Sequence, residues 1–252
     1  MNFIKLTFKC KENSEYPNNL YGFFISDYLN CLYKNGQIES DYSLIKKDNL
    51  YCAFVTSVDV DSLDEKFSNE HIKELKEKLG CAIDSEVLGT SEFSDELCNC
   101  TSKSGYILLY SFISNGSPVR CIDCWRDVPL YKLPHILQQN DYNDEMLWAR
   151  SVRITEELWE NGVNQSFNRK QMISTKSELY RKGKELCREF EKATGKPFYY
   201  YLADPDILPK RNLLKKCPEC GNKWREYKKS FASGNVLEIN FCDECRLASS
   251  KN

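Results

Sequence analysis

The sequence predicts an α+β protein: a mixed sheet-and-helix body with a structural zinc site, followed by a C-terminal zinc ribbon. Three observations carry this expectation. Eight of the thirteen cysteines fall into two sets with metal-ligand spacing. Short stretches of alternating apolar and polar residues are interspersed with stretches of helical periodicity. At 252 residues with 41% hydrophobic content, the chain can bury a sizeable core without disulfide staples.

The elements follow in order. Ile4, Leu6, Phe8 and Cys10 alternate with polar neighbours as a half-buried strand does. From about Leu20 to Tyr33 a dense apolar face (Phe23, Phe24, Cys31, Leu32) marks a helix that ends at Asn35-Gly36. Leu50 to Thr56 reads as a strand, and Glu70 to Leu79 as a helix through Ile72, Leu75 and Leu79. Cys81 to Leu88 and Tyr106 to Ile113 read as further strands. The two prolines of Val128–Pro134 predict extended chain.

A helical section comes next. Asp144 to Asn161 places Leu147, Trp148, Val152, Leu158 and Trp159 on one side. On the same helix Glu156, Glu157 and Glu160 with Arg150 and Arg153 read as a solvated face. Thr175 with Glu178 matches a capping box. The helix it opens buries Leu179, Leu186, Cys187 and Phe190 and stops at Gly195-Lys196-Pro197. Phe198–Leu202 returns to strand. Asp204-Pro205-Asp206 and Pro209 predict a linker, which sets a domain boundary: a body over 1–209 and a ribbon over 210–252.

In the ribbon, Cys217-Pro-Glu-Cys220-Gly and Cys242-Asp-Glu-Cys245 are two knuckles. Each places two thiolates on a tight turn whose backbone N–H groups can bond the sulfurs. Trp224–Tyr227 and Val236–Phe241 alternate between them as strands, with a turn at Ser233-Gly234-Asn235. A module this small predicts that the metal supplies much of its folding energy, and that Cys217→Ser unfolds the ribbon while sparing the body. In the central set, Cys98-Asn-Cys100 precedes the strand at Tyr106, and Cys121-Ile-Asp-Cys124 follows it. A hairpin returning its far end beside its start would bring these four together. Two Zn2+ ions, both structural, follow from two sets of four thiolates. Cys10, Cys31, Cys52, Cys81 and Cys187 read as core thiols.

These motifs resemble those of a known family. Cys98-Asn-Cys100, Ser117–Cys124, Val128–Pro134, Pro197–Leu202, Lys216–Gly221 and Cys242–Leu247 are similar to a little-studied bacterial family of zinc-ribbon-containing proteins with a nucleic-acid-binding label. The resemblance runs from about Cys98 to Ser249. It implies the zinc ligands and carries no activity.

Charge and composition narrow the function. From Lys210 onward ten basic residues face five acidic ones, so the tail carries +5 and the remainder −7 of the net −2. Lys215, Lys216, Lys223, Arg225, Lys228 and Lys229 surround Trp224 and Tyr227, a pattern that suits phosphate neutralisation and base stacking. The acidic body suits a basic protein partner instead, as in an immunity protein that neutralises a cognate toxin. With four protein ligands per ion and two histidines in all, His71 and His135, neither placed as a base, no catalytic centre is expected. No glycine-rich phosphate loop and no nucleophile elbow is present. The expectation is a non-enzymatic recognition protein for a protein or nucleic-acid partner. It has no signal-peptide core, no membrane span, and a reducing, cytoplasmic setting.

Overall fold

The computed structural model describes residues 1–10, 20–39, 42–48, 50–90, 97–110, 116–136, 140–202, 215–230 and 236–250. The expected linker at 204–209, the turn at 233–235 and the end of the strand at 111–113 lie outside the described residues. The chain is α+β and divides into two units, Met1–Leu97 with Asn115–Ser117 and Arg126–Met146, and Cys98–Ser114 with Pro118–Trp125 and Leu147–Asn252. The expected boundary at 209/210 lies outside the described residues.

The first unit is a βαββαβ arrangement: β1 (Asn2–Lys9), α1 (Tyr21–Lys34), β2 (Ser43–Lys47), β3 (Leu50–Ser57), α2 (Glu70–Leu79) and β4 (Ala82–Thr90). The four strands order as β2-β3-β1-β4, with every neighbouring pair antiparallel. This is the split βαβ pattern. The alternation in β1 buries Ile4, Leu6 and Phe8 against Ile25, Leu29 and Leu32 of α1 and Ile72, Leu75 and Leu79 of α2. Asn69 caps α2, its side chain accepting from the Ile72 N–H at 2.9 Å. β2 has no counterpart in the sequence reading, since its Lys46 and Lys47 are exposed and it carries only a weak apolar alternation. The segment expected to be extended at Val128–Pro134 holds a 3-10 turn, Leu130–Lys132. A proline is tolerated at a helix start, where its missing N–H has no partner to lose.

Two of the presumed core thiols are corrected. Cys10 and Cys81 form a disulfide. β1 and β4 pair Lys9 with Ala82, so the next residue on each strand faces its counterpart, with Cα atoms 4.2 Å apart. Among the described residues the other eleven cysteines form no disulfide.

Glu145, in the first turn of α3 (Asn143–Glu160), is fully buried, and neither carboxyl oxygen has a hydrogen-bond partner among the described residues. Burial pushes its carboxyl from 4.5 up to about 7, and Asp144 and Asp141 push the same way. The folded state therefore holds a proton that the unfolded chain has already released. That stabilisation is complete below pH 4.5, declines as pH rises, and is gone above about pH 7. Urea unfolding should show roughly 3 kcal/mol of stability lost across that window. Glu145→Gln should flatten the decline; an unchanged pH profile would refute it.

The second unit holds β5 (Tyr106–Leu108), β6 (Val119–Cys121), α4 (Gln165–Ile173), α5 (Glu178–Thr194), β7 (Phe198–Tyr201), β8 (Arg225–Ser230), β9 (Val236–Cys242) and β10 (Leu247–Ser250), with most of α3. Its strands form one six-stranded sheet, β6-β5-β7-β10-β9-β8, in which β7 runs parallel to both β5 and β10. The three ribbon strands therefore share a sheet with β5, β6 and β7. Leu247, Ala248 and Ser249 are buried at 0–1% exposure, and β10 joins ribbon to body through Tyr200 N–H to Arg246 O and Leu202 N–H to Ala248 O. The sheet's edges meet as well: Tyr227 of β8 donates to Ile122 O at 3.4 Å, and Lys229 donates to Asp123 O, just past β6. The sheet thus rolls around a core of Ile107, Tyr199, Ile239, Phe241 and Ala248.

The helices differ from expectation in detail. Ser177, not Thr175, caps α5, accepting from the Tyr180 N–H at 3.2 Å. Glu178 then sits in the first turn, where a carboxylate favours the helix dipole. α4 has no counterpart in the sequence reading. Leu147 and Leu158, expected to face inward, are exposed.

Candidate metal centres

The central cysteine set is assembled by the β5–β6 hairpin. Antiparallel pairing puts Tyr106 opposite Cys121, so the stretch before β5 meets the turn after β6. The sulfurs of Cys98, Cys100, Cys121 and Cys124 lie within 4.8 Å of one another. The turn is pinned by Trp125 N–H to Cys121 O at 2.8 Å. Asp123 accepts from the Ser104 N–H and hydroxyl at 2.7 and 2.6 Å.

The C-terminal set has the same plan around the β8–β9 hairpin, and its four sulfurs also lie within 4.8 Å of one another. Gly221 N–H returns to Cys217 O at 2.9 Å. Gly221 takes φ +74°, which a residue with a Cβ adopts only at a cost. Cys217 N–H donates to Asn222 O at 2.9 Å, and the Asn222 amide donates to Glu244 at 2.7 Å, tying one knuckle to the other.

Both sets fit a tetrahedral ion. A metal about 2.3 Å from each of four thiolates sets the sulfurs ~3.8 Å apart; Cys220 and Cys242 are 3.6 Å apart. Burial pushes the Cys121 and Cys217 thiols up to about 11 and raises Cys98 and Cys245 as well. In the other direction, a hydrogen bond from the Cys124 thiol lowers Cys100, and one from the Asn222 N–H lowers Cys220. Without a cation, packed sulfurs of this kind keep some protons; a dication removes them on binding. Four soft sulfurs in tetrahedral array suit zinc or iron.

Around the second knuckle lies a set of braces that the sequence reading missed. Asp243 accepts two hydrogen bonds from Arg225, at 2.7 and 2.8 Å, and one from the Tyr199 hydroxyl at 2.5 Å. Arg246 is bidentate to Glu191 of α5, its closest contacts at 2.9 Å, and stacks over Tyr199. Lys184, also on α5, donates to Cys245 O. The sequence holds no signal for such pairings, because each joins residues far apart along the chain.

These contacts bear on the proposed phosphate-binding cluster. Arg225 is held by Asp243, Lys228 by Glu238 at 2.8 Å, and Lys229 by the Asp123 carbonyl. Trp224 is half-buried. Lys215, Lys216 and Lys223 are exposed. His71 is exposed on α2, while His135 is half-buried, 3.0 Å from Asn35 Oδ1 and against the Tyr142 ring.

Comparison with known proteins gives likenesses without an activity. Residues 100–203 match the family model described as "Domain of unknown function (DUF2310)". That span includes Cys100, Cys121 and Cys124 and stops before the second set. Two uncharacterized proteins of Haemophilus influenzae (strain ATCC 51907 / DSM 11121 / KW20 / Rd) are similar, each at 28% identity. One aligns over 69% of this chain and 66% of its own length, the other over 68% and 84%. The chain thus spans just under two thirds of the first of these relatives. The crystal structure of SnoaB, a cofactor-independent oxygenase from Streptomyces nogalater, is similar at 10% identity over 36% of this chain and 93% of that one. Its TM-score is 0.29, too low to support a statement about fold. Neither the family model nor the relatives name a zinc ribbon. Among the described residues no helix is long and apolar enough to cross a membrane.

Proposed function

We propose that this chain is a non-enzymatic zinc protein whose two ions are structural and whose second unit is a metal-pinned platform for a macromolecular partner. One observation carries the reading: each set closes on itself with four sulfurs within 4.8 Å of one another, all from the protein. Zinc with four thiolates has no position for substrate or water, so its contribution is shape and stability. Each such centre carries about two negative charges, which, with the acidic remainder of the chain, favours a basic protein surface as partner. Purified protein should contain two zinc ions per chain by elemental analysis. A content of none, or an open position seen by X-ray absorption, would overturn the reading.

Nucleic-acid binding is the second reading, and Lys215, Lys216 and Lys223, exposed beside the first knuckle, are the observation that favours it. Three phosphate contacts on a single strand correspond to a salt slope of about −2. A mobility-shift series with single-stranded and duplex probes separates the readings. A slope near that value, lost in the triple alanine variant, supports nucleic acid; no shift at micromolar protein supports a protein partner.

A further inference from the structure

α3 carries an exposed apolar stripe that includes Leu147 and Leu158, two residues expected to face inward. Leu147, Ile154 and Leu158 are 50%, 44% and 39% exposed. With Ser151 they recur at spacings of four, three and four, the heptad spacing of a coiled-coil seam. The adjacent stripe, Trp148, Val152, Thr155 and Trp159, faces the unit's own interior or its margin. The helix therefore carries one stripe for its own core and a second with no cover among the described residues. Phe167 of α4, 61% exposed, adds to the apolar surface just beyond the end of α3.

The charges beside this seam select the occupant. Arg150 precedes Ser151 and Glu157 precedes Leu158, so both occupy the same flanking position of successive heptads. Arg150 is exposed and makes no ion pair among the described residues, while Glu157 pairs with Arg153 at 2.9 Å through one oxygen and is 43% exposed. An antiparallel second copy sets Leu147 against Leu158 and the small Ser151 against the larger Ile154. The same two-fold sets Arg150 beside Glu157 of the second copy, twice. Ser151 needs no partner in that seam, because its hydroxyl already donates to Leu147 O at 2.7 Å. The stripe is thus complementary to itself in shape and in charge, as a two-fold interface requires.

We infer that α3 is a homodimerisation helix, pairing antiparallel with α3 of a second copy through Leu147, Ser151, Ile154 and Leu158. The inference is independent of what the metal-pinned sheet binds. A seam of two heptads is short for a stable interface, so the dimer is concentration-dependent.

Sedimentation of the metal-loaded full chain over a concentration series tests this. The expected mass rises from 29.4 kDa towards twice that value. Ile154→Asp should hold the chain monomeric, with its zinc content and circular dichroism unchanged. Arg150→Glu and Glu157→Arg should each weaken the dimer at least tenfold, and the two together should restore it, since each new charge meets its opposite on the other copy. A monomer at every concentration, a dimer indifferent to Ile154→Asp, or a double variant no stronger than the singles would overturn the proposal.

Discussion

Removing metal from the C-terminal set, by a strong chelator or by Cys217→Ser, should unfold the entire second unit, not merely residues 210–252. Cys217 is 2% exposed in a knuckle held to its fellow by Asn222 and Glu244. Cys242 ends β9, and β10 follows the knuckle directly, as an inner strand between β7 and β9. Once the knuckle opens, β10 loses its register, and β7 loses its bonds to Arg246 and Ala248. The braces from Glu191 and Lys184 on α5 go with them. The central set also loses the Tyr227 and Lys229 contacts that hold its turn. A structural zinc contributes on the order of 10 kcal/mol, comparable with the total stability of a domain, so no remaining contact offsets the loss. Zinc content should therefore fall from two towards none rather than to one. Hydrogen exchange should deprotect β5 and β7 together with β9, while the β1–β4 sheet stays protected. Exchange confined to residues 215–250, with one zinc retained, would show instead a separable ribbon.

Much of this was legible in the sequence, and the failures have definite causes. The two cysteine tetrads were legible because a metal site needs its donors at short, fixed spacings, and such spacings survive as a pattern in one dimension. The strands and helices around Ile4–Cys10 and Glu70–Leu79 were legible because a single buried face dictates their period. The pairing of Leu247–Ser250 with β7 was not legible because this strand is four residues long and largely buried, which leaves no alternation to read. The Cys10–Cys81 disulfide was missed because it depends on the register of two strands more than seventy residues apart in sequence. Arg225 and Lys229 looked like phosphate contacts because composition shows a charge and not its partner. Asp243 and the Asp123 carbonyl become visible only when the sheet rolls up.

Gly183→Ala should destabilise the second unit by about 2 kcal/mol or more, although alanine is the better helix former by about 1 kcal/mol. Gly183 lies in the middle of α5 on its buried face, and its place there is a matter of space. A Cβ at this position would come within 2.7 Å of Tyr200 Cδ2, closer still to Cε2, and within 2.8 Å of Trp148 Nε1. Neither ring has room to retreat. Trp148 is 4% exposed and fixed by its hydrogen bond to Leu179 O at 3.1 Å. Tyr200 is equally buried, packed edge-on against Tyr180 at 5.0 Å, and its backbone is held on β7 between β5 and β10. The added methyl must therefore lift α5 off β7, which also strains the Arg246–Glu191 and Lys184 braces on the second cysteine knuckle. Urea unfolding should show the loss, and slower-growing zinc retention at limiting metal should accompany it. Pairing Gly183→Ala with Trp148→Phe, which removes the nearest indole nitrogen, should cost less than the sum of the two single changes. Strict additivity, or a Gly183→Ala chain as stable as the parent, would mean that α5 and β7 are not in the close contact described.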